Sequence, residues 1–160
     1  MKIGVDRLRQ EHSLPPEGYK ALLTCRDPDV LSYLYAQARE VALANFGNNI
    51  YIRGLIEISN CCRNNCYYCG IRKGNIQVER YRLSRETILD CCRQGYKLGF
   101  RTFVLQGGED AAQSSDWIEG TVAAIRGEFP DCAITLSLGE KSREEYERFF
   151  HAGANRYLLR

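Results

Sequence analysis

Several features that would assign this chain to a common class of protein are missing from its sequence. It has no apolar run long enough to span a bilayer and no block of Lys or Arg typical of a nucleic-acid-binding surface. It also lacks internal repeats, low-complexity segments and a secretory leader. We therefore expect a globular cytoplasmic protein that binds neither a membrane nor nucleic acid.

Histidine is scarce, with two residues, whereas eight of the 160 residues are cysteines. So many thiols without a secretory leader are typical of a reducing cytosol, where thiolates stay available to metals. The formal net charge of +2 and the hydrophobic content of 44% describe an ordinary globular protein. The length allows one domain with a substantial core.

Three of the cysteines, Cys62, Cys66 and Cys69, stand at CxxxCxxC spacing. Such a group can be buried apolar side chains, disulfide partners, zinc ligands or ligands of an iron–sulfur cluster. Three cysteines on one short loop are poorly placed to form disulfides. A structural zinc site needs four ligands, usually two CxxC-like pairs. The other candidates for a second pair are either adjacent to each other or far away in sequence: Cys91, Cys92, His12 and His151.

A [4Fe–4S] cluster has four irons and is normally held by four thiolates. Three thiolates from one loop would bind three irons and leave the fourth iron free for another ligand. The spacing of the three cysteines therefore favours an iron–sulfur cluster over the alternatives.

Residues 1–50 are predicted to form a helical segment that precedes the main domain. Asp27-Pro28 is a good helix start, because it combines a capping carboxylate with proline at the first helical position. Gly47 can end that helix, and Pro15-Pro16 breaks any helix before it.

Residues 51–160 alternate between strand and helix patterns. Short β-rich runs predict strands at 55–58, 102–105, 133–136 and 156–159. Between them, Ser84 caps one helix, apolar residues over 118–129 mark a second, and Ser142 with Glu145 forms the capping box of a third. The alternation predicts an α/β fold with a parallel sheet of βα units.

A polar or Gly-rich feature follows each of these strands. The cysteine loop follows the first strand, residues 106–109 follow the second, residues 137–140 follow the third, and Arg160 ends the fourth. In βα-barrels, active sites are built at the carboxyl ends of the strands. We therefore expect these four features to share one functional face.

Four βα units amount to half of a closed eight-stranded barrel, which takes about 200–250 residues. We expect the N-terminal half of a (βα) barrel preceded by helices, and we interpret the chain as an N-terminal fragment or truncated product. Its fourth strand would then be a bare edge, which favours aggregation.

The segments around these features resemble the HydE family of [FeFe]-hydrogenase maturases, within the radical S-adenosylmethionine (radical SAM) superfamily. The resemblance covers roughly residues 50–160 and rests on 56–60, 62–72, 104–110, 135–140 and 156–160. Biotin synthase and methylornithine synthase are related families. Biotin synthases typically carry acidic residues between the first two cysteines, where this chain has Arg63-Asn64-Asn65. Methylornithine synthase is the closer competitor.

The resemblance implies that Cys62, Cys66 and Cys69 bind a [4Fe–4S] cluster whose fourth iron takes the amino and carboxylate groups of SAM. Tyr68 is the aromatic residue that stands before the third cysteine in the superfamily's signature. Cys61 is expected to be a packing residue, and the spacing would become CxxxxCxxC if it were the first ligand instead.

The resemblance also assigns SAM contacts outside the cysteine loop. Gly107-Gly108-Glu109 matches a motif that receives the amino group of SAM, although Gly-Gly after a strand is by itself most often a tight turn. Glu140 would face the SAM ribose or the substrate, and Arg160 would pair with the SAM carboxylate. For Glu140 and Arg160 the alternative is an ordinary salt bridge at the barrel rim.

By this resemblance the chain would cleave SAM reductively to a 5′-deoxyadenosyl radical. The radical would act on a small iron–cysteine species. An electron donor such as ferredoxin or flavodoxin and other hydrogenase maturation proteins would be its partners. No catalytic residue is assigned beyond the cluster and the SAM site. The alternatives are a methylornithine synthase, a biotin-synthase-like enzyme, and an inactive fragment that only binds an iron–sulfur cluster or zinc.

Overall fold

The computed structural model describes residues 1–159 of the chain. Its contacts divide the chain into two compact units, Met1–Tyr51 and Ile52–Arg160. Among the described residues, no helix combines the length and the apolarity that a membrane span requires.

The first unit consists of three helices, α1 (Lys2–Glu11), α2 (Pro16–Leu23) and α3 (Pro28–Phe46). Helix α3 begins as predicted, because the Asp27 side chain accepts a hydrogen bond of 2.9 Å from the Asp29 amide. It ends at Gly47, which has a φ of 64°. Pro15 is the N-cap residue of α2, and Pro16 is its first residue.

The second unit alternates strands and helices in chain order. Its elements are β1 (Gly54–Ser59), α4 (Arg85–Lys97), β2 (Thr102–Gly107), α5 (Ser115–Glu128), β3 (Ala133–Ser137), α6 (Arg143–His151) and β4 (Arg156–Tyr157). The four strands pair in parallel in the order β1-β2-β3-β4. The predicted α/β fold with a parallel sheet is therefore confirmed.

The core of this unit lies between the sheet and its helices. The strand residues of this core alternate along each strand, as the two-residue period requires, and the residues between them in β2 and β3, Val104 and Thr135, are buried as well. The alternating residues form one hydrophobic cluster with residues of α4, α5 and α6; the strand members include Ile56, Ile58, Phe103, Leu105, Ile134 and Leu136. Burial of this face fixes the register of the sheet and therefore the positions of the loops at its carboxyl edge.

The fourth strand is shorter than predicted. The sequence pattern indicated a strand over 156–159, whereas β4 contains only Arg156 and Tyr157, paired with Thr135 and Leu136 of β3. The Leu158 amide still donates a hydrogen bond of 2.8 Å to the Leu136 carbonyl. Within the described residues, β4 pairs with β3 only. No strand on its other side stabilises an extended conformation at 158–159.

Candidate functional site

One cleft of about 340 Å³ lies at the carboxyl ends of β1, β2 and β3. All the site residues predicted from the sequence line it, apart from Arg160, which lies outside the described residues. The cleft residues include Cys62, Cys66, Tyr68, Cys69, Gly107, Gly108, Glu109 and Glu140. Three segments that are distant in the sequence thus meet at one site, as the parallel strand order requires, and Leu158 after β4 borders it as well.

The cysteine loop leaves β1 at Ser59 and runs without regular structure to the start of α4. The Cys69 amide donates to the Cys66 carbonyl over 3.0 Å, so these two thiols stand on one turn. Cys66 is exposed, and Cys62 and Cys69 are half-buried. Within residues 1–159, no three His, Cys, Asp or Glu side chains are close enough together to hold a metal ion.

The donor chemistry of the cleft fits a cluster that is held by three thiolates. The thiols of Cys62, Cys66 and Cys69 are all free and all border the same cleft. Cys61 is placed differently, because its Sγ lies 3.8 Å from the carbonyl oxygen of Tyr81. Cys62 lines the cleft and Cys61 does not, and the choice of Cys62 as the first cluster ligand stays a prediction.

The Gly-Gly pair brings the second loop directly against the cysteine loop. A Cβ on Gly108 would lie 2.3 Å from the Cys61 carbonyl oxygen and 2.6 Å from the Cys62 Cβ. Any side chain at this position would push the two loops apart, since real contacts of this kind are much longer. Gly108 is therefore needed for a close approach of two backbones, whatever ligand the cleft binds.

Glu109 is held in place by its neighbours. Its Oε2 accepts a hydrogen bond from Arg63 Nε at 2.9 Å and forms an ion pair with Arg63 Nη2 at 2.8 Å. Its backbone carbonyl accepts a hydrogen bond from the Arg63 amide at 3.0 Å. Its side chain also lies against Gly139, where a Cβ would be 2.0 Å from Glu109 Cγ. Gly139 has a φ of 76°, so this turn favours glycine on two counts.

The ion pair between Glu109 and Arg63 is half open to solvent. The Glu109 side chain is 15% exposed, whereas the Arg63 side chain is 66% exposed. Ion pairs with an exposed partner contribute little, about 0–1 kcal/mol, because water competes for the charge. The carboxylate of Glu109 can therefore exchange Arg63 for the ammonium group of a ligand at little cost.

Glu140 is exposed and lies at the junction of two cavities. Its side chain borders the main cleft and also a smaller polar cavity of about 160 Å³, which Arg63 and Lys141 line as well. Its backbone amide approaches Glu109 Oε1 at 3.5 Å. The described residues form no salt bridge with Glu140.

A buried carboxylate next to Glu109 was missed by the sequence analysis. The Asp110 side chain is 2% exposed, and Arg82 binds both of its oxygens, at 2.6 and 2.9 Å. Ser59 Oγ donates to Asp110 over 2.7 Å, and the Ala112 amide donates over 3.0 Å. We refer to this group of Asp110, Arg82 and Ser59 as the Asp110 latch.

The Asp110 latch changes the acidity of its carboxyl group. Burial by itself raises the pKa of Asp110, but the hydrogen bonds from Arg82, Ser59 and Ala112 and the charge of Arg82 outweigh it and hold the pKa below its usual value. The carboxylate therefore stays ionised at neutral pH and ties the end of β1 to the loop after β2. Its partners are 28 and 51 residues away, so sequence spacing gives no signal for them.

The chain is similar in sequence to known proteins. The sequence model of the radical SAM superfamily matches residues 56–159. The chain is 42% identical to the [FeFe]-hydrogenase maturase subunit HydE of Thermotoga maritima, over 90% of this chain and 41% of that protein. It is 33% identical to the 3-methylornithine synthase of Methanosarcina acetivorans, over 66% of this chain and 30% of that protein.

A solved structure has the same fold. The crystal structure of methylornithine synthase (PylB) superposes with a TM-score of 0.85 and 26% sequence identity, over 98% of this chain and 46% of that one. The half-barrel expected from the sequence and the resemblance to HydE are thereby confirmed. The chain spans less than half the length of each of these relatives.

The enzymes of this superfamily use a [4Fe–4S] cluster and SAM, which is the cofactor pair expected from the sequence. The superfamily's sequence model covers about two thirds of the chain, including the cysteine loop and the loops after β2 and β3. This chain belongs to the radical SAM superfamily.

Proposed function

We propose that this chain forms the cofactor-binding half-barrel of a HydE-type radical SAM enzyme of [FeFe]-hydrogenase maturation. The observation that carries the proposal is the single cleft in which three free thiols face the Gly107–Glu109 segment. The similarity to HydE, which is higher than that to 3-methylornithine synthase, supports the finer assignment.

In this proposal each part of the cleft has its own task. Cys62, Cys66 and Cys69 hold the [4Fe–4S] cluster as thiolates, and Tyr68 stands beside them. Glu109 receives the ammonium group of SAM, with Gly107 and Gly108 allowing the ligand to approach the backbone. Glu140 faces the ribose or the substrate, and Arg160 pairs with the SAM carboxylate. When bound, the cluster and SAM supply one-electron cleavage of the S–C5′ bond, which yields methionine and a 5′-deoxyadenosyl radical.

The proposal extends to substrate, partners and compartment. The substrate is a small iron–cysteine species, the electron comes from a ferredoxin or flavodoxin, and other hydrogenase maturation proteins take up the product. All eight cysteines in the described structure are free thiols, which supports work in a reducing cytoplasm.

The second candidate function is a methylornithine synthase, which the fold match to PylB favours. A HydE-type enzyme should be encoded among hydrogenase maturation genes and a methylornithine synthase among pyrrolysine biosynthesis genes, so the gene neighbourhood distinguishes the two. A third candidate, a fragment that binds a cluster without catalysis, is separated from both by the SAM-cleavage products methionine and 5′-deoxyadenosine.

The cluster assignment is tested by anaerobic reconstitution with iron and sulfide. We expect about one [4Fe–4S] cluster per wild-type chain, because three thiolates hold three of the four irons. Cys66→Ala should abolish the cluster, measured by iron and sulfide content and by the visible absorption band.

Cys61→Ala is the matched control, since it removes an adjacent thiol that points to the Tyr81 carbonyl. This variant should keep nearly all of the cluster. Loss of the cluster in Cys61→Ala together with its retention in Cys62→Ala would overturn the ligand assignment. One equivalent of zinc without visible absorption would favour a non-catalytic metal-binding module.

A further inference from the structure

We propose that Arg80 is the positioning residue of the cysteine loop: its guanidinium ties the two ends of the loop together and so presents the three thiols on one side. This inference rests on the proposed function, in which those thiols bind a cluster. Arg80 belongs to neither the CxxxCxxC pattern nor the Gly107–Glu109 segment.

Arg80 donates four hydrogen bonds, all to backbone carbonyls. Nη1 donates to Asn60 at 2.5 Å and to Ile71 at 2.8 Å. Nη2 donates to Arg72 at 2.7 Å and to Asn75 at 3.0 Å. Asn60 precedes Cys62, the first of the three cysteines, whereas the other acceptors follow Cys69, the last of them. The Arg80 side chain therefore connects the two ends of the loop.

Arginine suits this task because its planar guanidinium presents several N–H donors in a fixed fork. Hydrogen bonds from a charged donor are also about twice as strong as neutral ones. In the described part of the chain no carboxylate forms a salt bridge with Arg80, and its hydrogen-bond partners are all main-chain oxygens of the loop. The hydrogen bonds of Arg80 therefore stabilise the shape of the loop and do not serve an ion pair.

The segment that carries Arg80 is fixed independently of the loop. Residues 81–83 lie antiparallel to the end of β1, where Ser59 forms an isolated bridge with Arg82. The Leu83 amide donates to the Ile58 carbonyl over 2.8 Å. Arg82, two residues after Arg80, is anchored in the Asp110 latch. The cysteine loop is thus attached through Arg80 to a segment that the sheet holds in place.

A loop with three ligands must be ordered before the ligands can bind metal together, and that ordering has an entropic cost of about 1–2 kcal/mol per residue. The loop contains few regular backbone hydrogen bonds of its own, such as Lys73 N to Asn64 O at 2.8 Å. Arg80 supplies four more contacts to the same segment. Removing them should loosen the loop while leaving the sheet intact.

The experiment compares wild type with Arg80→Gln, Arg80→Lys and the control Lys73→Gln. Lys73 is an exposed residue of the same loop, so its variant removes one positive charge without removing the four carbonyl contacts. Hydrogen–deuterium exchange of the cluster-free proteins comes first. In Arg80→Gln we expect loop amides such as those of Cys69 and Lys73 to exchange roughly tenfold faster, with β2 amides unchanged. Arg80→Lys should be intermediate and Lys73→Gln like wild type.

The second readout is the rate at which a chelator removes iron from the reconstituted proteins. We expect roughly tenfold faster loss in Arg80→Gln than in wild type, with partial rescue in Arg80→Lys, although all three cysteines are present. Unchanged loop exchange in folded Arg80→Gln, or equally faster exchange in the sheet, would overturn the proposal. If Arg80→Gln does not fold, the same comparison is made with Arg80→Lys. Exchange and iron-loss rates of Arg80→Lys that equal those of wild type would then overturn the proposal. Failure of wild type to take up a cluster would instead refute the proposed function, and the exchange data would still decide the role of Arg80.

Discussion

The proposed role of Glu109, binding a cationic ligand, requires the ligand to displace only one weak interaction of its side chain. Oε2 is bonded to the exposed Arg63, and Oε1 lies near the Glu140 amide. The contact with Gly139 fixes the side chain without using its charge. A carboxylate that is already oriented loses little conformational entropy when an ammonium group takes the place of Arg63.

We therefore expect Glu109→Ala to weaken SAM binding roughly ten- to hundredfold, because a charge-assisted hydrogen bond contributes about 1.5–3 kcal/mol. The cluster content should stay at the wild-type level, since none of the three thiols is changed. Equilibrium dialysis or calorimetry with the reconstituted, anaerobic protein measures the affinity.

Glu79→Ala is the control for Glu109, because Glu79 is an exposed glutamate outside the cleft. It should bind SAM as wild type does. If Glu109→Ala binds SAM with unchanged affinity, the Gly107–Glu109 segment serves only to pack two loops together.

The Asp110 latch joins three parts of the fold to one another. Its carboxylate connects the last residue of β1, the segment before α4 and the loop after β2. Because the folded pKa of Asp110 is below its unfolded value of about 3.9, the latch contributes stability at all pH values above that. The contribution disappears as the pH falls through the lower folded pKa.

Asp110→Asn should consequently lower the free energy of unfolding by about 1–3 kcal/mol at pH 7, since it weakens buried hydrogen bonds. The difference from wild type should begin to shrink as the pH falls below about 4, where the unfolded chain binds the proton first, and it should vanish only below the lower folded pKa. Denaturant titrations at a series of pH values under reducing conditions measure this.

Asp90→Asn provides the comparison, because Asp90 also pairs with an arginine, Arg93, but on an exposed surface of α4. It should change the free energy of unfolding by less than about 0.5 kcal/mol. A destabilisation by Asp110→Asn that is the same at pH 3 and pH 7 would contradict the ionised latch.

The elements also show which parts of this fold the sequence could predict. Helix starts were predictable because their signals are local: Ser142 and Glu145 form the expected capping box, with Glu145 N to Ser142 Oγ at 3.2 Å and Ser142 N to Glu145 Oε2 at 2.7 Å. The three-cysteine spacing was likewise readable within one short loop. The length of β4 was not, because strand pairing depends on neighbours that are distant in sequence.

The same distinction holds within the site. The positions of Gly107 and Gly108 were predicted, but not the close approach to Cys61 and Cys62 that makes Gly108 necessary. Arg80 was unremarked because its partners are backbone carbonyls, which carry no residue-specific signal. Polar residues whose partners are main-chain atoms or lie across a sheet become visible only in the folded chain.

At the scale of the whole molecule, the four strands place every cleft residue at one end of the sheet but leave that end open. Tyr67 and Tyr68 on the cysteine loop are 92% and 90% exposed, and Leu159 after β4 is also exposed. Radical chemistry depends on keeping water and stray reductants away from the reacting atoms. The 160-residue chain also spans less than half of its relatives' length.

We therefore expect this chain, expressed alone, to bind a cluster but to cleave SAM unproductively, and not to support hydrogenase maturation. The measurement is complementation of a strain that lacks HydE, with the full-length Thermotoga maritima relative as the positive control. Anaerobic assays should then detect methionine and 5′-deoxyadenosine without active hydrogenase. Strand β4 at the sheet edge should also make the isolated chain prone to aggregation, which size-exclusion chromatography detects.

Complementation by this chain alone would show that four strands suffice, or that a second copy or a partner closes the cleft. Chromatography of the complementing protein would separate these two cases, because only the second gives a species larger than one chain.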